Sequence, residues 1–261
     1  MGETLAVFAT TLAAAALLML CVWGLSLVKK NAGIVDVCWG LGFVMIAVLG
    51  FRLGEGYPPR KLLITVMVVA WGLRLSFHLL WRNWGMGEDF RYAAMRRRHG
   101  ERFGVVSLYT VFGLQAALMW IVSLPVQVAQ TSSRPDHLTW LDGLGALVWL
   151  GGTCFESVGD WQLARFKRDP ANGGKVMARG LWHYTRHPNY FGDACVWWGL
   201  FLVAAAAPAG VWTAIGPVCM TALLKRVSGV PLLERKLTKT RPEYADYMRR
   251  TSAFVPWFPQ S

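Results

Sequence analysis

An all-α polytopic membrane protein of seven transmembrane helices is the fold class the sequence predicts, with the N-terminus outside, the C-terminus cytoplasmic and a cytoplasmic amphipathic C-terminal helix. Three observations predict it. The 261 residues are 54% hydrophobic and only 16% charged, too apolar for a soluble domain of this length. Apolar runs near the roughly 20 residues that a bilayer core demands recur along the chain. Basic residues gather in every second connection, as the positive-inside rule requires.

The spans are read at about 5–28, 34–53, 62–82, 105–129, 140–164, 189–207 and 209–227, in one domain covering residues 1–261. Lys29-Lys30, the loops Arg82–Arg102 and Arg165–Arg186 and the tail from Lys225 onward then share one side. Arg52, Arg60, Lys61 and Arg134 make up the opposite face. The formal net charge of +12 therefore reads as an orientation signal and not as a nucleic-acid surface. Five scattered cysteines without a CxxC pair predict neither a disulfide framework nor a metal centre.

The first span follows a non-basic Met-Gly-Glu-Thr start and runs to Leu27 before Lys29-Lys30, which predicts a retained packing helix and not a cleaved signal. The second carries Asp36 near its cytoplasmic end. A site role is expected there, the alternative being a carboxylate that snorkels to water or pairs with Lys29 or Lys30. In the third, Trp71, Arg74 and His78 share one helical face. A buried arginine needs an acid, and Asp36, Glu156, Asp160 and Asp193 are the available ones. The following loop, Asn83–Tyr92 with Arg96-Arg97-Arg98-His99, is expected either to lie against anionic headgroups or to close over a polyanionic cofactor. The fourth span holds Gln115 as its buried polar side chain and reads as scaffold, followed by an outer polar turn at Thr131–His137.

The fifth span stacks Glu156 and Asp160 on one face beneath Arg165, Lys167 and Arg168. The stretch Arg186-His187-Pro188-Asn189-Tyr190-Phe191-Gly192-Asp193 repeats that geometry. Pro188 suits a helix first turn, and Asn189 and Asp193 then fall on one face just inside the apolar run. Carboxylates and amides can hold ribose hydroxyls while Lys and Arg neutralise phosphates, so two such pairs below cationic loops suggest a nucleotide lying partly in the membrane. Between them, Asp169–Trp182 contains Asn172-Gly173-Gly174-Lys175 but neither GxxxxGK[ST] nor GxGxxG. The last two spans meet at Ala206–Gly210 as a tight hairpin. The tail from Val230 to Tyr247 is amphipathic and expected to lie along the membrane surface, capping the site.

No Ser/His/Asp, Cys/His or metal-ligand spacing is present. Three classes fit what remains: a nicotinamide-dependent lipid reductase, a methyltransferase using S-adenosylmethionine and, less well because no internal repeat is evident, a small transporter.

The octet, the pair Glu156/Asp160 and the tail residues Glu234, Leu237, Tyr244, Tyr247 and Pro256 resemble the membrane family that joins steroid 5-alpha-reductases, sterol reductases and isoprenylcysteine carboxyl methyltransferases. Asn31–Asp36, Trp71-Gly72-Leu73-Arg74-Leu75 and Gly87-Glu88-Asp89-Phe90-Arg91-Tyr92 extend the likeness to bacterial steroid 5-alpha-reductase-like proteins over nearly the whole chain. The wider family is matched from about residue 150 onward. The resemblance implies a seven-helix bundle in the bacterial inner membrane, NADPH entering from the cytoplasm and a membrane lipid reaching the nicotinamide sideways from the bilayer. Asp160, Lys167, Lys175, Asn189 and Asp193 match cofactor-contacting positions of the reductases, Glu156 stands where those enzymes often have Asn, and Arg74 matches a reductase arginine. Arg186, His187 and Tyr190 complete the expected cofactor site. Asp36 falls near the position of the Glu that binds the substrate carbonyl, while Trp71 replaces its partner tyrosine and cannot donate a phenolic proton. Asp36 and Trp71 are thus the expected substrate contacts, and Asp36 and Tyr184 the candidate proton donors. Arg-His-Pro followed by Tyr is shared with the methyltransferases, which keeps that activity as the alternative. The oligomeric state is left open, a monomer being compatible.

Overall fold

A backbone polar group left unpaired in hydrocarbon is so costly that a chain this apolar must satisfy its peptide groups locally, which helices do. The computed structural model describes residues 2–227 and 229–260, and every regular element among them is helical. The ends of the expected domain, Met1 and Ser261, and the tail position Ser228 lie outside the described residues. Four helices among the described residues are long and apolar enough to cross a membrane: Thr4–Lys29, Ile34–Leu53, Pro58–Asn83 and Phe90–Val122. The chain divides into two compact units, Met1–Asp142 with Val203–Gly216 and Gly143–Leu202 with Pro217–Ser261.

The first unit begins with α1 (Gly2–Lys29), α2 (Ile34–Leu53) and α3 (Pro58–Asn83). Lys30 ends α1 by taking a φ of +49°. Its N–H bonds to the Leu27 carbonyl while the Asn31 N–H reaches that of Ser26, so the last carbonyls are satisfied with a lysine where glycine is usual. Pro58 and Pro59 open α3, where their missing N–H groups have no intrahelical partner to lose. Helices α2 and α3 touch backbone to backbone, since a Cβ at Gly40 would lie 2.4 Å from the Gly72 carbonyl oxygen.

The expected continuous span over 105–129 is replaced by several pieces. Helix α4 (Phe90–His99) stops at Gly100, whose φ is +52°. Then α5 (Phe103–Ser107), a π-helical turn over Leu108–Gly113 and α6 (Leu114–Val122) follow in line. A separate α7 (Leu124–Thr131) starts beyond Ser123, because Pro125 has no N–H to continue the ladder. Gln115 is only half-buried, and the wholly buried polar side chains of this region among the described residues are Ser107, Ser123, Gln127 and Gln130. Gln127 accepts from Thr11 Oγ1 at 2.7 Å and donates to Ser123 Oγ at 2.9 Å. Gln130 donates to the Ala47 carbonyl and to Thr65 Oγ1, each at 2.7 Å. These bonds fasten α7 to α1, α2 and α3 and leave it inside the unit.

The second unit is built on α8 (Trp140–Arg168) and, after the single turn α9 (Leu181–Tyr184), on α10 (Pro188–Ala205). The two long helices run antiparallel along a glycine seam. Gly199 meets the backbone of Gly145 and Trp149, Gly152 meets that of Gly192 and Val196, and Gly159 meets Pro188 and Asn189. Small residues let backbones approach this closely in a membrane. A Cβ at Gly192 would lie 2.5 Å from the Glu156 N and 2.6 Å from the Gly152 O. Gly192→Ala is therefore expected to destabilise the purified protein by about 1–3 kcal/mol through overpacking. Gly151→Ala, with nothing within 4 Å of the added methyl, is expected to be neutral or mildly stabilising through helix propensity. Thermal unfolding in detergent checks both, and equal melting of the two variants would dismiss the seam.

The expected span over 209–227 is also interrupted. A 3-10 turn over Val211–Ala214 leads into α11 (Ile215–Ala222), with Pro217 in its first turn, and a π-helical turn follows over Leu223–Val227. Trp198 on α10 donates to Thr221 Oγ1 at 3.2 Å. The tail forms two short helices in place of one, α12 (Val230–Thr240) and α13 (Tyr244–Arg250). They part at Pro242, which cannot continue α12.

Candidate functional site

On α8, Glu156 and Asp160 are one turn apart on the face that α10 covers, and both are buried, at 3% and 9% exposure. Asn189, in the first turn of α10, donates its side-chain N–H to Asp160 Oδ1 at 3.1 Å. Its amide oxygen accepts the Tyr190 N–H at 3.1 Å. Asp193 follows one turn later on α10 and is half-buried. Three carboxylates and an amide thus collect along one helix pair. Their oxygens suit hydroxyl donors.

Above this cluster the start of α10 is gripped by the tail. Arg186 Nε donates to Glu234 Oε1 at 2.7 Å, and its Nη1 donates to the Met248 carbonyl at 2.9 Å and to that of Thr251. His187 Nε2 lies 3.2 Å from the same Glu234 oxygen, and its ring stacks on Tyr190 with centroids 5.4 Å apart. Thr185 Oγ1 donates to the Phe254 carbonyl at 2.9 Å, the Arg186 N–H to that of Ser252 at 2.9 Å, and the Tyr247 hydroxyl to that of Trp182. Phe254 closes an apolar cluster with Ala194 and Val230, against which Tyr190, Phe191 and Leu224 pack. Burial works to raise the Glu234 carboxyl, but the hydrogen bonds from His187 and Arg186 outweigh it and hold it below its ordinary range. Burial pushes the Tyr244 and Tyr247 phenols up. Arg186 and His187, expected to face a cofactor, are instead buried and spend donors on the tail. Glu234, which the resemblance marks without a role, is their partner.

Lys167 and Lys175 are exposed on the end of α8 and the loop after it. Arg241 donates to the Lys175 carbonyl, tying that loop to the tail. Tyr184 is 40% exposed and stands edge-on to Phe258, while its carbonyl accepts the Trp257 N–H at 2.9 Å.

In the first unit Asp36 meets neither Lys29 nor Lys30. Arg91 Nη2 donates to its Oδ2 at 2.7 Å and the Tyr92 hydroxyl to its Oδ1 at 2.8 Å. Asp89 caps α4 by accepting from the Arg91 N–H at 2.9 Å and also takes Arg91 Nε at 2.8 Å. Glu88 accepts both Arg96 Nη2 and Nε, at 2.7 and 2.9 Å, and the Ala32 N–H at 2.8 Å. The Arg96 hydrogen bonds hold the Glu88 carboxyl below its ordinary range. Trp71 is fully buried and edge-on to Phe43 at 5.8 Å, and Arg74 is half-buried on the same helix. Tyr92 thus sets a phenol beside Asp36. Asp36 and Tyr92 are 56 residues apart, a pairing that no local spacing announces.

Residues 22–251 match the model of a family described as proteins of unknown function (DUF1295). A protein of Schizosaccharomyces pombe described as uncharacterized is 21% identical over 261 residues, covering 90% of this chain and 75% of its own length. No solved structure matches the chain.

Proposed function

The chain belongs to the DUF1295 family of proteins of unknown function, and we propose that it is an NADPH-dependent reductase of a carbon–carbon double bond in a membrane lipid. The family is often described as steroid 5-alpha-reductase-like, which agrees with the resemblance of the octet and the tail. The observation that carries the proposal is the hydrogen-bonded pair of Asp160 and Asn189, with Glu156 buried one turn away. The proposal includes seven spans, with α8, α10 and the segment 211–227 added to the four long apolar helices. It places the protein in the bacterial inner membrane with the site open to the cytoplasm, as the distribution of basic residues supports.

The donor set fits a dinucleotide. Asp160, Glu156 and Asp193 would accept ribose hydroxyls, Asn189 would offer its amide, and Lys167 and Lys175 would neutralise phosphates. NADPH, when bound, supplies a hydride from its nicotinamide ring. Arg186, His187 and Glu234 hold the tail over the start of α10 and so fix the position of Asn189 and Tyr190. Tyr184 is retained as a proton donor. Asp36, the other candidate donor, accepts from Arg91 and from the Tyr92 hydroxyl within the first unit.

Detergent-purified protein is expected to bind NADPH and not S-adenosylmethionine in a calorimetric titration. Asn189→Ala should weaken NADPH about tenfold, the worth of one hydrogen bond of about 1.4 kcal/mol, with the melting temperature of the apoprotein little changed. Tight S-adenosylmethionine binding without NADPH binding would overturn the proposal in favour of a methyltransferase.

A further inference from the structure

One end of the first unit carries more outward positive charge than its acids can neutralise. Lys29 and Lys30 end α1, Arg97, Arg98 and Arg102 lie at the close of α4 and the turn after it, and all five are exposed. The two groups share an end of the unit. Trp23 Nε1 donates to the Gly104 carbonyl at 2.9 Å, Leu27 borders Gly104, and the Ala32 N–H is held by Glu88.

The acids here are Asp36, Glu88, Asp89 and Glu101. The first three are turned to Arg91 and Arg96 and consumed there, which leaves Glu101 alone against five cations. Among the described residues none of those five forms an ion pair. Directly after Arg102 comes the apolar stretch from Phe103 to Val122, so the cations stand at the hydrocarbon boundary. Trp84 and Met86, 77% and 68% exposed, lie in the loop leading into α4 and suit the layer between headgroups and acyl chains.

We propose that this end of the unit is a binding surface for anionic phospholipid, with Arg97, Arg98 and Arg102 taking headgroup phosphates and Lys29 and Lys30 flanking them. It does not depend on the reductase proposal. A nucleotide phosphate is disfavoured because the acids that would hold a ribose are already paired inward.

The test is native mass spectrometry of the full chain in detergent, titrated with phosphatidylglycerol or with phosphatidylcholine of the same acyl chains. Wild type is expected to retain phosphatidylglycerol preferentially. Arg97→Gln/Arg98→Gln/Arg102→Gln should lower that preference at least about tenfold, since each change removes a cation beside an anionic surface. Lys29→Gln/Lys30→Gln should lower it less, and Arg134→Gln, in the exposed turn before Pro135, should leave it unchanged. If the triple variant fails to fold, the lysine pair against Arg134→Gln decides. Equal retention of the two lipids by wild type, an unchanged preference in both cationic variants, or displacement of the lipid by inorganic phosphate would overturn the proposal.

Discussion

Arg60→Ala is expected to cost about 3–5 kcal/mol of stability, the usual result of leaving a buried charge without its partner. Arg60 is fully buried. It donates to Asp142 through Nε at 2.8 Å and Nη2 at 3.0 Å, and to the carbonyls of Pro135 and His137 at 3.1 and 2.9 Å. Asp142 also accepts the Thr139 N–H at 2.7 Å and its hydroxyl at 3.0 Å. Arg60→Lys should rescue little, because an ammonium cannot repeat the two-pronged geometry. Arg60→Met/Asp142→Leu should melt closer to wild type than either single change, since removing both charges removes the penalty of the orphan. Thermal unfolding of these variants in one detergent measures this, and an Arg60→Ala protein as stable as wild type would deny the pair any structural weight.

The same pair shows where sequence stops being legible. Alternating topology counts Arg60 as a surface cation of the outer face, and its partner 82 residues away has no local signature. Asp36 behaves alike: the lysines next to it in sequence are the obvious partners, yet Arg91 and Tyr92 arrive from α4 because the Glu88–Asp89 turn is pinned to the start of α2. Helical content, by contrast, follows from hydropathy alone, and the meeting of Asp160 with Asn189 follows from two polar pairs at one depth. The breaks at Ser123 and around Pro217 are marked by prolines, whose effect a window of average hydropathy smooths away. The glycine seam is present in the spacing as well. Gly145, Gly152 and Gly159 recur every seven residues, as do Gly192 and Gly199, the interval that returns a helix to one face. Residue spacing thus announces faces and depths, whereas ion pairs between distant segments emerge only when the chain is folded.

Arg186→Ala is expected to release the tail. The guanidinium joins the Glu234 carboxylate to the Met248 and Thr251 carbonyls, so its loss leaves a half-buried carboxylate with His187 alone beside it and two carbonyls short of a donor, at a cost of about 3 kcal/mol. The cost should fall locally. Hydrogen exchange over residues 230–257 should accelerate by orders of magnitude while the amides of α8 keep their protection, because the glycine seam does not involve the tail. Arg186→Lys should restore only part of the protection. Acid should imitate the mutation. With its folded carboxyl held below the ordinary value of 4.5, Glu234 contributes its full share of docking above that pH. The contribution is lost as the pH falls through the lower, folded value. In Glu234→Gln that acid dependence should vanish, with the tail exchanging faster at neutral pH. Protection of residues 230–257 that is indifferent to Arg186→Ala would mean the apolar contacts of Phe254 and Val230 suffice to hold the tail, and that the polar latch contributes nothing to its docking.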